Sequence, residues 1–179
     1  MGIAIFPMFI QDDPSLIKQM ARETILILDK EAHTQWTLKA FLETEKYIVL
    51  AVDTIERALQ CFREFEVSAL ITEYWIDHAN PVEIIRGLKR DFPELYVMML
   101  TQENLEEIEY RRVMKAGVGD LFFKPLSTEK ILLHLKKGLR LRKIFIQKKR
   151  LEQKLNQFRA NRADRHVPLA VVSISNNES

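Results

Sequence analysis

One cysteine, five glycines and no long apolar run set the first limits on this chain of 179 residues. A lone Cys61 excludes an internal disulfide and any CxxC metal site. It falls in a helical pattern, so a buried, inert thiol is expected. With so little glycine there is no Gly-rich phosphate loop, and no GxSxG elbow occurs either. The histidines, His33, His78, His134 and His166, are scattered and have no partner at metal-ligand spacing, so neither a metal nor a cofactor is expected. No apolar stretch is long enough to span a bilayer. The apolar start, residues 1–10, lacks a cationic leader and runs into Gln11-Asp12-Asp13 instead of a small-residue cleavage site. A signal peptide is therefore not expected, and a cytoplasmic protein is.

What is present is a soluble composition, 47% hydrophobic and 29% charged, with its charges sorted by position. Residues 136–165 hold twelve Lys/Arg against Glu152 and Asp164, a net of +10. The other 15 basic and 23 acidic residues, of 27 and 25 in all, leave a net of −8 elsewhere. The chain reads as an acidic body with a basic arm. Four segments are expected: an extension over 1–22, a domain over 23–135, a basic helical extension over 136–165, and a tail over 166–179.

Within 23–135, short apolar runs alternate with helical periodicity. Strands are predicted over 24–28, 47–51, 67–72, 95–100 and 120–123. Helices are predicted over 34–45, 54–65 with Asp53 as N-cap, 81–91 opened by Pro81, 105–116 stopped by Gly117, and after Ser127. Five strands alternating with five helices imply an α/β fold, a doubly wound parallel sheet covered on both faces. The unit count and right-handed crossovers fit the flavodoxin-like strand order 2-1-3-4-5. The last helix is predicted to run on from Glu129 to about Phe158, interrupted only by Gly138. Leu132, Leu135 and Leu139 are placed on the sheet. Leu141, Ile144, Leu151, Leu155 and Phe158 fit an a/d spacing with Lys148 in one core slot, a short possible coiled coil. A β-like run lies in residues 167–174.

Polar residues close these strands where open α/β sheets place their chemistry. Asp29-Lys30-Glu31 follows the first strand, Glu73 the third, Thr101 the fourth, and Lys124-Pro125 the fifth. Together with Ala116-Gly117 and Asp120, this pattern resembles the receiver domain of bacterial response regulators over about residues 23–135. The resemblance implies two-component signalling, no enzyme activity of the domain's own, and a pocket in which an aspartate accepts a phosphoryl group beside a divalent cation. Asp29 matches the first acid of the family's metal-binding pair, Thr101 its switch hydroxyl and Lys124 its phosphate-contacting lysine.

The departures fall where that chemistry would occur. Glu73 occupies the phosphoacceptor position, and Lys30 the second acid, where an ammonium repels a divalent cation. Glu31, one residue on, is a candidate to compensate. Gln102 follows the switch threonine where a small residue is usual, Leu121 replaces an aromatic, Asp77 stands where proline is common, and Pro81 where glycine is common. These changes lead us to expect a degenerate pocket of Asp29, Lys30, Glu73, Thr101 and Lys124, neutralised by two charges of each sign. Such a non-phosphorylatable pseudo-receiver would act through protein contacts, its last helix pairing with a copy of itself or a partner. Two alternatives stand beside it: a receiver phosphorylated on Asp29 or Asp77, and a nucleic-acid adaptor working through the basic arm. The arm has no helix-turn-helix pattern and few interleaved aromatics, which weighs against nucleic acid. The plain reading of the pocket is a structural salt-bridge cluster, since desolvation offsets attraction in buried pairs.

Overall fold

The structure is a computed structural model and describes residues 22–76, 79, 81–102, 104–125 and 127–163. Nearly all of the expected N-terminal extension, Asp77, His78, His166 and the tail with its β-like run lie outside the described residues. Five strands, β1 (Thr24–Leu28), β2 (Ile48–Val52), β3 (Val67–Glu73), β4 (Tyr96–Thr101) and β5 (Asp120–Phe123), alternate with five helices. The helices are α1 (Ala32–Thr44), α2 (Ile55–Glu64), α3 (Val82–Asp91), α4 (Glu107–Lys115) and α5 (Thr128–Ala163). All strand pairs are parallel and the sheet order is β2-β1-β3-β4-β5, as the alternation implied.

The strands are apolar on both sides because both sheet faces are covered. Along β1, Leu26 and Leu28 face one core with Ala58 of α2, Ile85 and Leu88 of α3 and Val113 of α4. Ile25 and Ile27 face the other core, with Leu38 and Leu42 of α1 and Ile131, Leu135 and Leu139 of α5. The same alternation continues through Leu70 against Ala69 and Ile71, and through Val97 and Met99 against Met98 and Leu100. This period-2 division fixes the register, since a one-residue slip would exchange the two faces.

Local chemistry sets the element ends. The N-cap of α2 is Thr54, whose hydroxyl accepts from the Arg57 backbone N–H at 3.3 Å. The predicted cap, Asp53, instead pairs with the Arg57 guanidinium at 3.0 Å. Pro81 stands one residue ahead of α3, and its carbonyl accepts from the Ile85 N–H at 2.8 Å. After α4, Gly117 takes φ 102°, a conformation glycine adopts without steric cost, and the chain turns there into β5. Cys61 is half-buried against the core, not fully buried as expected, and burial pushes its thiol above the ordinary value. Tyr74 is buried, while Trp75, stacked edge-on to it, is 42% exposed.

Contacts divide the chain into two units between Arg142 and Lys143. The first holds the sheet, α1 to α4 and the start of α5. Its last residue, Arg142, has a side chain only 7% exposed, paired with Glu23 at 3.5 Å and Glu66 at 3.2 Å. The second holds α5 from Lys143 onward. Among the described residues, no helix is long and apolar enough to cross a membrane.

Candidate functional site

The carboxyl ends of β1, β3, β4 and β5 bring Asp29, Glu73, Thr101 and Lys124 to one edge of the sheet. Asp29 follows β1 directly and is fully buried. Its Oδ1 accepts the Glu31 backbone N–H at 2.8 Å, and its carbonyl accepts from the Gln35 amide. The side chain is thereby held as the chain bends into α1. Glu31 sits at the N-cap of α1, and its Oε2 accepts from the Thr34 hydroxyl at 2.8 Å. Glu73 is the last residue of β3, in register with Leu100. Thr101 ends β4 and is buried, and its carbonyl accepts the Lys124 backbone N–H at 2.8 Å. The Lys124–Pro125 peptide that follows β5 is cis.

The centre of the site is the Lys124 ammonium. Its Nζ donates to Glu73 Oε1 at 3.0 Å and to Glu31 Oε2 at 3.2 Å. It stands 3.0 Å from Asp29 Oδ2, which has no hydrogen-bond partner, so that contact is an ion pair off the hydrogen-bonding direction. The Lys124 and Asp29 side chains are 9% and 0% exposed, and Glu73 is 15% exposed. Burial works against the Lys124 ammonium, but its hydrogen bond to Glu73 and then its close ion pair with Asp29 outweigh it and raise the pKa above the ordinary lysine value. At Asp29 burial dominates. It raises the carboxyl above the usual range despite the Glu31 N–H and the Lys124 charge. Glu31 is held low by its bonds to Thr34 and then Lys124.

This grouping differs from the two-and-two arrangement expected from the sequence. Three carboxylates share one lysine, and Glu31 takes a place at Lys124. Lys30 is exposed. Its charge is felt at Asp53, where it adds to the larger effect of the Arg57 hydrogen bond in holding that carboxyl low. The reason is position: both faces of β1 are covered and the buried run ends at Asp29, whereas Lys30 lies in the bend between β1 and α1, outside the cover of the helices. Beside the cluster lies a cleft of about 560 Å³ walled by Glu31, Thr34, Thr37, Gln102, Lys124 and Thr128. Gln102 thus borders the space next to the lysine. Among the described residues, no three His, Cys, Asp or Glu side chains are placed to hold a metal ion. The carboxylates converge on Lys124 Nζ and not on a shared vacant point, so a divalent cation does not fit the arrangement as it stands.

Sequence reading missed a second polar chain. The Tyr96 hydroxyl bonds Asp120 Oδ2, and Asp120 Oδ1 meets His134 Nδ1 at 2.9 Å. Burial, then the Asp120 bond, pushes the Tyr96 phenol well above its ordinary value. Arg142 was missed as well, although it extends the inward stripe of Ile131, Leu135 and Leu139 by one further step of three.

Comparison with known proteins accords with this geometry. The response regulator receiver domain model matches residues 25–136. The two-component response regulator ORR7 of Oryza sativa subsp. japonica is 27% identical over 105 residues, 57% of this chain and 50% of that protein. The two-component response regulator ORR5 of the same subspecies is 26% identical over 106 residues, 58% of this chain and 78% of that protein. The chain thus spans about half of the first relative's length and more of the second's. A CheY-like receiver domain protein from Methanospirillum hungatei JF-1 shares the fold with a TM-score of 0.64 at 19% identity, covering 69% of this chain and 98% of that one. The match over 25–136, on a sheet of order 2-1-3-4-5 with its acid, hydroxyl and lysine at the strand ends, means that the chain belongs to the response regulator receiver domain family of two-component signalling.

Proposed function

We propose that the domain is a pseudo-receiver, which signals through protein contacts and takes no phosphoryl group. The observation that carries this reading is the Lys124 ammonium within 3.0 Å of both Asp29 and Glu73 and 3.2 Å of Glu31. The internal cation holds the carboxylates that would otherwise bind a metal or accept a phosphoryl group. Glu73 is a weaker choice of acceptor than aspartate here, because its extra methylene carries the carboxylate onto the lysine. Lys30 supplies no oxygen ligand. Gln102 at the cleft wall supports the same reading, since a phosphoryl group would have to share that space. Asp29 is a poor substitute nucleophile, being fully buried with one oxygen committed to the Glu31 N–H.

In this reading Asp29, Glu31, Glu73, Thr101 and Lys124 hold one conformation without metal or phosphate, and Lys30 contributes only by standing where an oxygen ligand would be needed. The working surface is then protein, and the exposed helix beyond the domain is where a copy or a partner pairs. The domain has no catalytic step of its own, and we place it in the cytoplasm. Acetyl phosphate with magnesium tests the reading. The mass of the protein is expected to stay unchanged, whereas a Lys30→Asp, Glu73→Asp variant should gain a phosphoryl group. A stable gain on Glu73 or Asp29 of the unaltered chain contradicts the reading.

A further inference from the structure

The α5 residues after Arg142 carry an apolar stripe that is exposed among the described residues. Ile144, Leu151, Leu155 and Phe158 are 52%, 67%, 50% and 72% exposed. Their spacing of seven, four and three residues puts them on one face of the helix. A shallow groove along that face is lined by Ile144, Gln147, Lys148, Leu151, Glu152 and Leu155. In heptad terms Ile144, Leu151 and Phe158 take d positions, and Lys148 and Leu155 take a. Gln147 and Lys154 then flank the seam at g, and Glu152 and Arg159 at e.

The charges decide what can lie on this stripe. Residues 144–161 hold Lys148, Lys149, Arg150, Lys154 and Arg159 against Glu152 alone, a net of +4. A parallel self-pair would set Lys148 against its own copy in the core and Lys154 against Arg159 across the flank. Its remaining flank pair, Gln147 with Glu152, supplies no opposite charge. An antiparallel self-pair still lays +4 on +4. Like charges brought together at an interface cost affinity and act as specificity devices. Within the helix, Lys148 pairs with Glu152 at 3.8 Å, largely in solvent, so the lysine's charge remains available across the seam. A nucleic acid would answer the charge and leave the apolar stripe in water. A helix with apolar a and d positions and acidic flanks answers both.

We infer that this segment is a docking seam for an acidic amphipathic helix of another protein, and not for a second copy of the chain. The inference rests on the interaction-module reading above and names its partner class. The acetyl phosphate test reads phosphoryl acceptance and not helix pairing, so either idea can fail without the other.

The probe is a synthetic peptide of roughly three heptads with Leu at a and d, Glu at e and g, and Glu in the slot that faces Lys148. A scrambled peptide of the same composition controls for bulk charge. Binding to the full chain is read by fluorescence anisotropy at two salt concentrations, with self-association read by sedimentation. The patterned peptide is expected to bind at least about tenfold tighter than the scrambled one, and more weakly in high salt. Leu151→Ala with Leu155→Ala, which keeps strong helix formers in place, should abolish that preference. Lys148→Glu, Lys154→Glu and Arg159→Glu together should transfer it to a peptide with Lys in place of Glu. The chain alone should sediment as a monomer. A stable dimer that excludes the peptide, equal binding of the scrambled peptide, or duplex DNA that displaces the peptide and binds the double-alanine variant equally well would each overturn the inference.

Discussion

Lys124 sets the energetics of the pocket. Its ammonium leaves water because three carboxylates surround it, and removing it would leave Asp29 and Glu73 facing each other with no counter-charge. Breaking a buried pair from one side costs more than the pair contributes as a whole. Lys124→Met is expected to destabilise the domain by about 2 kcal/mol, less than a fully enclosed pair because Glu31 reaches solvent. Adding Asp29→Asn should restore part of that loss, which urea titration of the single and double variants would measure. The sign of the pH dependence follows from the raised lysine pKa. The folded state binds this proton more tightly than the unfolded chain does. The contribution is therefore complete below the ordinary value of 10.5 and is lost as pH rises through the higher folded value. The stability gap between the unaltered protein and Lys124→Met should hold steady from neutrality upward and narrow only in strong alkali.

At the scale of the element, α5 shows how one residue can violate a local preference for the sake of packing. Gly138 costs about 1 kcal/mol relative to alanine inside a helix. A Cβ there would lie 2.2–2.3 Å from the Tyr96 ring, so the ring occupies the space that glycine leaves. Gly138→Ala is expected to destabilise the fold by about 2 kcal/mol through overpacking, despite its better helix propensity. A double-mutant cycle with Tyr96→Ala should recover much of the loss, since the two positions are in contact. An independent, additive pair of effects would contradict this. The elements themselves were legible in the sequence because the strands are short continuous apolar runs, while α2, α3 and the start of α5 repeat their apolar residues every three to four positions. The ends were less so. Asp53 and Thr54 are both good caps by type; the helix opens at Ile55, so Thr54 caps it and Asp53 pairs with the Arg57 guanidinium. Tyr96 read as a strand residue, and its phenol's bond to Asp120 depends on the β4–β5 register, which no local pattern encodes.

For the molecule as a whole, the sequence made the sheet order and the polar strand ends readable, because a parallel α/β fold must place those ends together. It did not make the charge balance readable. Lys30 is adjacent to Asp29 in the chain, but it stands in the exposed bend after β1, and Glu31, at the N-cap of α1, reaches back to Lys124. The apolar stripe along the later part of α5 was visible as an a/d spacing, and its residues are exposed along with the polar ones around them. Lys124 already serves the pocket's carboxylates, and the pseudo-receiver reading requires that no added cation replace it. Magnesium titration of isotope-labelled protein, followed at the carboxyl resonances of Asp29 and Glu73, tests this most directly. These resonances are expected to stay in place up to millimolar magnesium, while those of the Lys30→Asp, Glu73→Asp variant shift. A saturable shift at Asp29 and Glu73 of the unaltered chain, with release of Lys124, would contradict it.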